Sequence, residues 1–334
     1  MNGLELFAGP VLGIETSCDE TSAAWLEGRS VRTNVVSSQV ELHKRWGGVV
    51  PEAAARAHVE AIVPVLAEAL EGRRPAAVAV TNRPGLIGAL SVGVSAAKAL
   101  ALAWEVPMIG VHHLEGHILS PFLGEGDPVP FPHLCLVASG GHTELVWVAG
   151  LGQYRIVAET LDDAAGEALD KGARLLGLGY PGGRAVQEAA VGGDPDRYRL
   201  PRGVAKDPGK FSFSGLKTAV LRLVEREGDD LRVADAAASL QAAVVDSLAD
   251  KSMAAMDDLG ARAFTLVGGV AANVPLRSRL HEECARRGVR FAVPDPSYCT
   301  DNAAMIALAG SARLARGERS GWELDCFANA PLPG

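Results

Sequence analysis

Two histidines stand four residues apart in the segment His112-His113-Leu114-Glu115-Gly116-His117. On a helix that spacing turns His113 and His117 to one side, where two neutral imidazoles can share a metal ion. A third ligand must come from elsewhere. Asp301 is the candidate, in Cys299-Thr300-Asp301-Asn302 just ahead of an apolar helical pattern. An aspartate at that point is equally suited to capping the helix, so both roles stay open. The His-Leu-Glu-Gly-His order differs from the HExxH zinc-peptidase pattern, in which the general base directly follows the first histidine. Glu115 comes two residues after His113, about 200° around a helix and away from a shared metal.

Other residues have the types that bind anions and nucleotides. Ser139-Gly140-Gly141-His142-Thr143 joins two apolar runs, and its consecutive glycines let backbone N–H groups approach phosphate oxygens, although a plain turn uses glycines too. Gly268 to Asn273 follows a strand pattern and opens a helix, where a base or ribose could slide against small residues; tight packing is the alternative. Asp163, Glu167 and Asp170 recur at helical spacing and give one acidic face near Gly166 and the Tyr180-Pro181-Gly182-Gly183 turn, suited to ribose hydroxyls or simply to water. Arg197, Arg199, Arg202, Lys206, Lys210 and Lys217 cluster with Tyr198, Phe211 and Phe213, a mixture that could neutralise phosphates and stack exposed bases. Glu15 and Asp19 lie on an early polar turn, and the general base is left unassigned.

These groups need a scaffold. The chain has 334 residues, 48% hydrophobic and 22% charged, enough to bury a large core in about two domains. Val11 to Ile14, the polar turn Glu15 to Glu20 and Thr21 to Leu26 read as a hairpin. Leu134 to Ala138, the Ser139 turn and Thr143 to Ala149 repeat the design. Duplicated α/β halves are expected, an N-terminal lobe over 1–128 and a C-terminal lobe over 129–334 with a basic and aromatic insertion near 192–230. Around the first hairpin, Pro51 to Leu70 and Ile87 to Trp104 read as helices, Ala76 to Thr81 and Met108 to Val111 as strands. The second half gives strands at Tyr154 to Glu159, Ala263 to Val267 and Val289 to Val293. Its helices are expected at Asp163 to Leu176, Leu231 to Leu259, Val274 to Arg287 and Asp301 to Arg316. That alternation predicts mostly parallel sheets.

A net charge of −8 argues against binding nucleic acid through overall charge. The five cysteines lack CxxC spacing and read as reduced structural thiols. Lys98 interrupts the Ala/Leu-rich stretch, so no run of about 18 apolar residues is expected, and Glu5 stands where a secretion signal would carry basic residues. A cytoplasmic protein with no membrane association is the expectation.

Several segments, taken in order, resemble the bacterial TsaD family. They are Gly13-Ile14-Glu15-Thr16-Ser17-Cys18-Asp19-Glu20-Thr21, Gln39-Val40-Glu41-Leu42-His43, Pro84-Gly85-Leu86-Ile87-Gly88, the His113/His117 segment, Ser139 to Thr143, Phe211-Ser212-Phe213-Ser214-Gly215-Leu216-Lys217 and Thr300-Asp301-Asn302. The resemblance runs from about Val11 to Ala328. It implies a duplicated actin/hexokinase-like ATPase fold, with two lobes and a ligand cleft between them. It also implies transfer of threonylcarbamoyl from threonylcarbamoyl-AMP to adenosine at position 37 of tRNAs reading codons that begin with A. By motif matching it makes His113, His117 and Asp301 ligands of one divalent metal, Fe2+ or Zn2+. It makes Val137, Ala138, Ser139, Gly140 and Gly141 the phosphate-approaching hairpin, and Asp170, Gly183 and Asn273 contacts to the nucleotide of threonylcarbamoyl-AMP or an ATP-like ligand. The implied partners are tRNA, a TsaB-like paralogue and a TsaE-like ATPase, with the donor made by a TsaC-like enzyme. A glycoprotease-like metallopeptidase and a non-catalytic ATP-binding scaffold of a tRNA-modification complex are the rival readings.

Overall fold

A computed structural model describes residues 4–202 and 207–333, so Lys206 of the basic cluster lies outside the described residues. The chain divides into two compact units. One comprises Met1–Pro130, Gly150–Tyr154 and Pro294–Gly334; the other comprises Phe131–Ala149 and Arg155–Val293. The units thus interleave along the sequence, where a single boundary near 128 was expected.

In the first unit the elements run β1 (Val11–Glu15), β2 (Glu20–Glu27), β3 (Ser30–Ser38), α1 (Val40–Lys44), α2 (Pro51–Leu70), β4 (Ala77–Arg83), α3 (Ile87–Trp104), β5 (Met108–His112) and α4 (His113–Leu119). The strand order is β3-β2-β1-β4-β5. β1 and β2 form an antiparallel hairpin with Glu15 opposite Ser22, and β4 joins β1 in parallel with Val80 beside Ile14. Pro51 starts α2, where its missing N–H costs nothing. Ile62, Val65 and Leu66 of α2 and Val94 and Ala97 of α3 pack on Leu12, Ile14, Val78 and Val80 of the sheet. Full burial of each Leu, Ile or Val contributes about 1.5–3 kcal/mol.

In the second unit come β6 (His133–Ala138), β7 (Thr143–Gly150), β8 (Gln153–Thr160), α5 (Ala165–Leu175), α6 (Gly182–Ala189), β9 (Lys210–Phe211), α7 (Ser214–Glu227), α8 (Val233–Leu259), β10 (Ala263–Val267), α9 (Val274–Arg286) and β11 (Arg290–Ala292). Helix α10 (Ala303–Ala315) belongs to the first unit. The second sheet is ordered β11-β10-β6-β7-β8-β9. Reversed, and with β9 set aside, this is the strand plan of the first sheet, with β6 in the place of β1 and β10 in that of β4.

Both sheets are mixed, which corrects the expectation of mostly parallel ones. β6 and β7 are antiparallel while β6, β10 and β11 run parallel. The reason is the short turn inside each hairpin, which can only join antiparallel neighbours; parallel neighbours need a crossover. A second correction concerns α3. Its 18 residues carry Lys98 as their one charge, so by length and composition it could cross a membrane. The run reaches that length because it extends back through Gly and Ser to Ile87. One face, with Ala89, Leu90, Val94 and Ala97, is buried in the core of its unit.

Candidate functional site

The histidine pair sits on α4, which begins directly after β5, so His113 follows the last residue of a buried strand. His112 caps that helix, its side chain accepting the Leu114 N–H at 3.2 Å. Helix α10 meets α4 at Gly116, where an added Cβ would lie 2.7 Å from Ile306 Cδ1 and 3.1 Å from Met305 Cγ. The start of α10 is pinned on the first hairpin: the Ala303 N–H donates to Ser22 Oγ at 3.0 Å, and Gly13 of β1 leaves no room for a side chain beside the Ala303 carbonyl. Two small residues therefore set the approach that brings Asp301 to the histidines.

Asp301 Oδ1 lies 3.1 Å from His117 Nε2 and 3.4 Å from His113 Nε2. Two atoms each about 2.1 Å from a shared ion are about 3.0–3.4 Å apart when they subtend about 90–109° at it, so these separations fit a divalent metal. One ligand atom from each residue falls within 4.8 Å of the others. Helix capping, the other role open to Asp301, belongs to Asn302, whose side chain accepts the Met305 N–H. Helix α10 accordingly begins at Ala303 and not at Asp301. Glu115 points elsewhere: it is buried, accepts the Tyr154 hydroxyl at 3.0 Å and lies 3.8 Å from Arg313. The peptidase base position is thereby empty of its carboxylate.

The triad is strongly polarised. Burial resists charge on Asp301, yet attraction and hydrogen bonding from His113, then His117, outweigh it and hold the carboxyl well below its usual range. Burial likewise resists charge on His113, and Asp301 and Glu15 overcome it, raising that imidazole well above its usual value. For His117 burial prevails and its value falls. Burial, and then Asp19 and Asp301, push the Glu20 carboxyl up to about 9. Asp301 and Glu15, held ionised beside the two imidazoles, give the site a negative potential that favours a cation. Glu15, expected on the polar turn and without a role, instead ends β1 and touches His113, 98 residues away in sequence.

The nucleotide candidates lie in the second unit. Val137 and Ala138 are fully buried and paired within the sheet, Val137 opposite Glu144 and Ala138 opposite Thr143, so any contact they make is through the strand end. The Ser139 Oγ accepts the His142 N–H at 3.1 Å and closes the turn. Gly140 and Gly141 would admit a Cβ into open space, and neither has a positive φ. Nothing inside the protein requires glycine there. At Gly268, by contrast, φ is +90° and a Cβ would lie 2.4 Å from the Ala138 carbonyl, and at Gly166 one would lie 2.6 Å from the Ser139 carbonyl. Those two glycines pack α5 and the strand β10 loop onto the hairpin.

Asp170 and Gly183 come together, because the Asp170 carboxylate accepts the Gly182 N–H at 2.7 Å and the Gly183 N–H beside it. Asn273 caps α9 by accepting the Leu276 N–H at 3.0 Å, and its amide donates to Gln241 at 3.0 Å. Gln187 of α6 accepts the neighbouring Val274 N–H at 2.8 Å, joining α6 to the start of α9. The acidic face breaks up: Asp163 precedes α5, and Lys171 neutralises it at 2.7 Å and Glu167 at 3.0 Å. The aromatic half of the basic cluster is also corrected. Phe211 and Phe213 are buried against each other, ring centres 6.2 Å apart, and Tyr198 is buried with its hydroxyl accepting the Arg232 N–H. They serve the core and cannot stack on bases. Arg202 pairs with Asp246 and Lys210 with Glu159, leaving Arg197, Arg199 and Lys217 as the exposed cations outside these ion pairs among the described members.

Paired mixed sheets of one strand plan define an α/β chain of the actin/hexokinase-like class. Among solved structures, full-length HypF in its phosphate- and nucleotide-bound form superposes with a TM-score of 0.61 at 14% identity, over 93% of this chain and 56% of that one. The activator of 2-hydroxyisocaproyl-CoA dehydratase from Clostridium difficile gives 0.52 at 13% identity, over 92% of this chain and 96% of that one. At these identities the likeness concerns the fold. A sequence profile of TsaD, tRNA N6-adenosine threonylcarbamoyltransferase, matches residues 30–308, and the chain belongs to that family. A relative of that name from Symbiobacterium thermophilum is 52% identical over 318 residues, covering 93% of this chain and 92% of its own. Another from Syntrophotalea carbinolica is 49% identical over 334 residues, with 96% of each chain covered.

Proposed function

We propose that this chain transfers threonylcarbamoyl from threonylcarbamoyl-AMP to the N6 amine of adenosine 37 in tRNA, with one divalent metal, Fe2+ or Zn2+, held by His113, His117 and Asp301. The observation that carries the transfer is the identity of about half of all residues, over nearly the whole chain, with relatives named for that reaction. The metal rests on the 3.1 and 3.4 Å separations at Asp301. Two imidazoles and one carboxylate suit either ion, and such an ion supplies Lewis-acid stabilisation of negative charge on the donor.

In the transfer a C–N bond forms between the adenosine amine and the carbamoyl carbon, the C–O bond to phosphate breaks, AMP departs and the amine loses a proton. The amine is a weak nucleophile because its lone pair is delocalised, so positioning must supply much of the rate. Gly140 offers its backbone N–H to the donor phosphate with no side chain in the way, and the Gly141 N–H, which reaches Ser139 Oγ at 3.4 Å, can turn to the same phosphate. Asp170, Gly183 and Asn273 hold the nucleoside, Asp170 through the acceptor capacity left after its two backbone bonds. Adenosine in the anticodon loop is single-stranded, which lowers the cost of presenting it.

A chain of net charge −8 with one modest basic segment holds tRNA poorly alone, which supports reliance on a TsaB-like paralogue and a TsaE-like ATPase, with donor from a TsaC-like enzyme in the cytoplasm. Metal content and single-turnover transfer by wild type and His113→Ala test the reading together. Loss of metal and transfer in the variant is expected; transfer without metal would refute the metal's part.

A further inference from the structure

We propose that Glu15 is a positioning residue for His113, its buried carboxylate holding the ring's Nδ1–H so that Nε2 presents its lone pair beside Asp301. This rests on the metal reading given above.

Glu15 ends β1 with no solvent exposure. An ion there costs several kcal/mol unless it is fully partnered. Its partners are specific: Oε1 accepts the Ser17 N–H at 2.5 Å, and Oε2 accepts the Thr81 hydroxyl at 2.6 Å and lies 3.0 Å from His113 Nδ1. Thr81 is itself fully buried on β4, the strand beside β1. The Glu15 contact and the Asp301 contact fall on opposite nitrogens of one imidazole. Glu15 is therefore behind the ring and not a further ligand. A carboxylate acceptor fixes the proton on Nδ1 and raises the basicity of Nε2.

The two imidazoles differ in this respect. His117 Nδ1 is buried with no hydrogen-bond partner among the described residues. His113 is thus the one ligand whose tautomer the protein sets by a charged acceptor.

An amide at position 15 cannot reproduce the arrangement. With its oxygen toward the Ser17 N–H, its NH2 faces His113 Nδ1, which must then accept, and the ring proton moves to Nε2 where the metal would bind. Turned over, its NH2 meets the Ser17 N–H donor to donor. Ser17 Oγ, 3.2 Å from the same Nδ1, is the competing explanation for the ring's orientation.

The test is Zn2+ affinity by chelator competition for wild type, Glu15→Gln, Thr81→Val, Ser17→Ala and His113→Ala, with metal-free melting curves and the His113 tautomer read from imidazole nitrogen NMR of the Zn2+-loaded proteins. Glu15→Gln should weaken Zn2+ about 10–100-fold and lose the Nδ1–H signal of His113. Thr81→Val should shift affinity in the same direction by less, and it decides the matter if Glu15→Gln does not fold. Ser17→Ala should bind like wild type. Wild-type affinity and tautomer in Glu15→Gln, or a loss carried by Ser17→Ala alone, overturns the assignment to Glu15. If His113→Ala binds Zn2+ as wild type does, the metal reading itself fails.

Discussion

The Asn302 side chain accepts the Met305 backbone N–H at 3.1 Å, and that bond leaves the adjacent Asp301 carboxylate free to face His117. Asn302 is buried, and its amide also donates to the Thr300 carbonyl at 2.8 Å. Asn302→Ala should destabilise the metal-free chain by about 1 kcal/mol through loss of the cap. It should also weaken metal binding, because Asp301 becomes the nearest substitute cap. Asn302→Asp keeps the cap acceptor but loses the amide that donates to the Thr300 carbonyl, so in melting and chelator-competition measurements it should hold metal better than Asn302→Ala while still lowering stability.

Gly116 sets the distance between α4 and α10. In Gly116→Ala the new methyl meets Ile306 Cδ1 and Met305 Cγ, so the helices must part even though alanine favours the helix. Metal affinity should fall several-fold while helix content is unchanged. Adding Ile306→Val, which removes the methyl in contact, should restore part of the affinity; no recovery would mean that the spacing is set elsewhere.

Metal removal should make stability depend on pH in a defined way. The depressed Asp301 carboxyl contributes stability above its unfolded value, lost as pH falls through its folded value. The raised His113 contributes stability that is complete below its unfolded value, about 6.5, and lost as pH rises through the folded one. Melting temperature in chelator should therefore decline on the alkaline side of about pH 6.5, and His113→Gln should flatten that limb. Zn2+ affinity should rise over the same range, since the metal displaces the His113 proton.

The glycines divide by what they touch. Gly140→Ala and Gly141→Ala should leave stability unchanged or raise it by about 0.4–1 kcal/mol, because φ and space both permit alanine. Binding of a nucleotide-type ligand should nonetheless weaken in both. Gly268→Ala should destabilise, with its positive φ and a carbonyl 2.4 Å from the new Cβ. Thermal melts paired with titration of ATP separate the two effects.

Elements with strong periodicity and clear ends could be read directly: helices α2 and α3 and strand β10 fall where the pattern puts them, between Pro51 and Leu70, Ile87 and Trp104, Ala263 and Val267. The hairpins were equally legible, since a short polar turn between apolar runs allows little else. Strand β3 was not, because it is half-exposed and its Ser, Arg, Thr and Asn blur the alternation. Helix α7 was hidden by its neighbours; Asp162, distant in sequence, accepts the Phe213 and Ser214 N–H groups at its start. At the site, the His113/His117 spacing was visible, while the choice between capping and metal binding at Asp301 depended on which neighbour capped α10. The burial of Tyr198, Phe211 and Phe213 could not be inferred from a local mixture of cations and aromatics, because core and RNA-stacking aromatics have the same composition.

Nucleoside mass spectrometry of tRNA tests the central claim most directly. Metal-loaded protein, threonylcarbamoyl-AMP and unmodified tRNA are incubated with and without the TsaB-like and TsaE-like proteins, and the RNA is digested. Threonylcarbamoyladenosine should appear in amounts up to one equivalent per protein chain alone and at many equivalents with the partners present, and be absent with His113→Ala. Unmodified adenosine throughout, with intact donor, metal and partners, would contradict the assignment of this chain as the transferase.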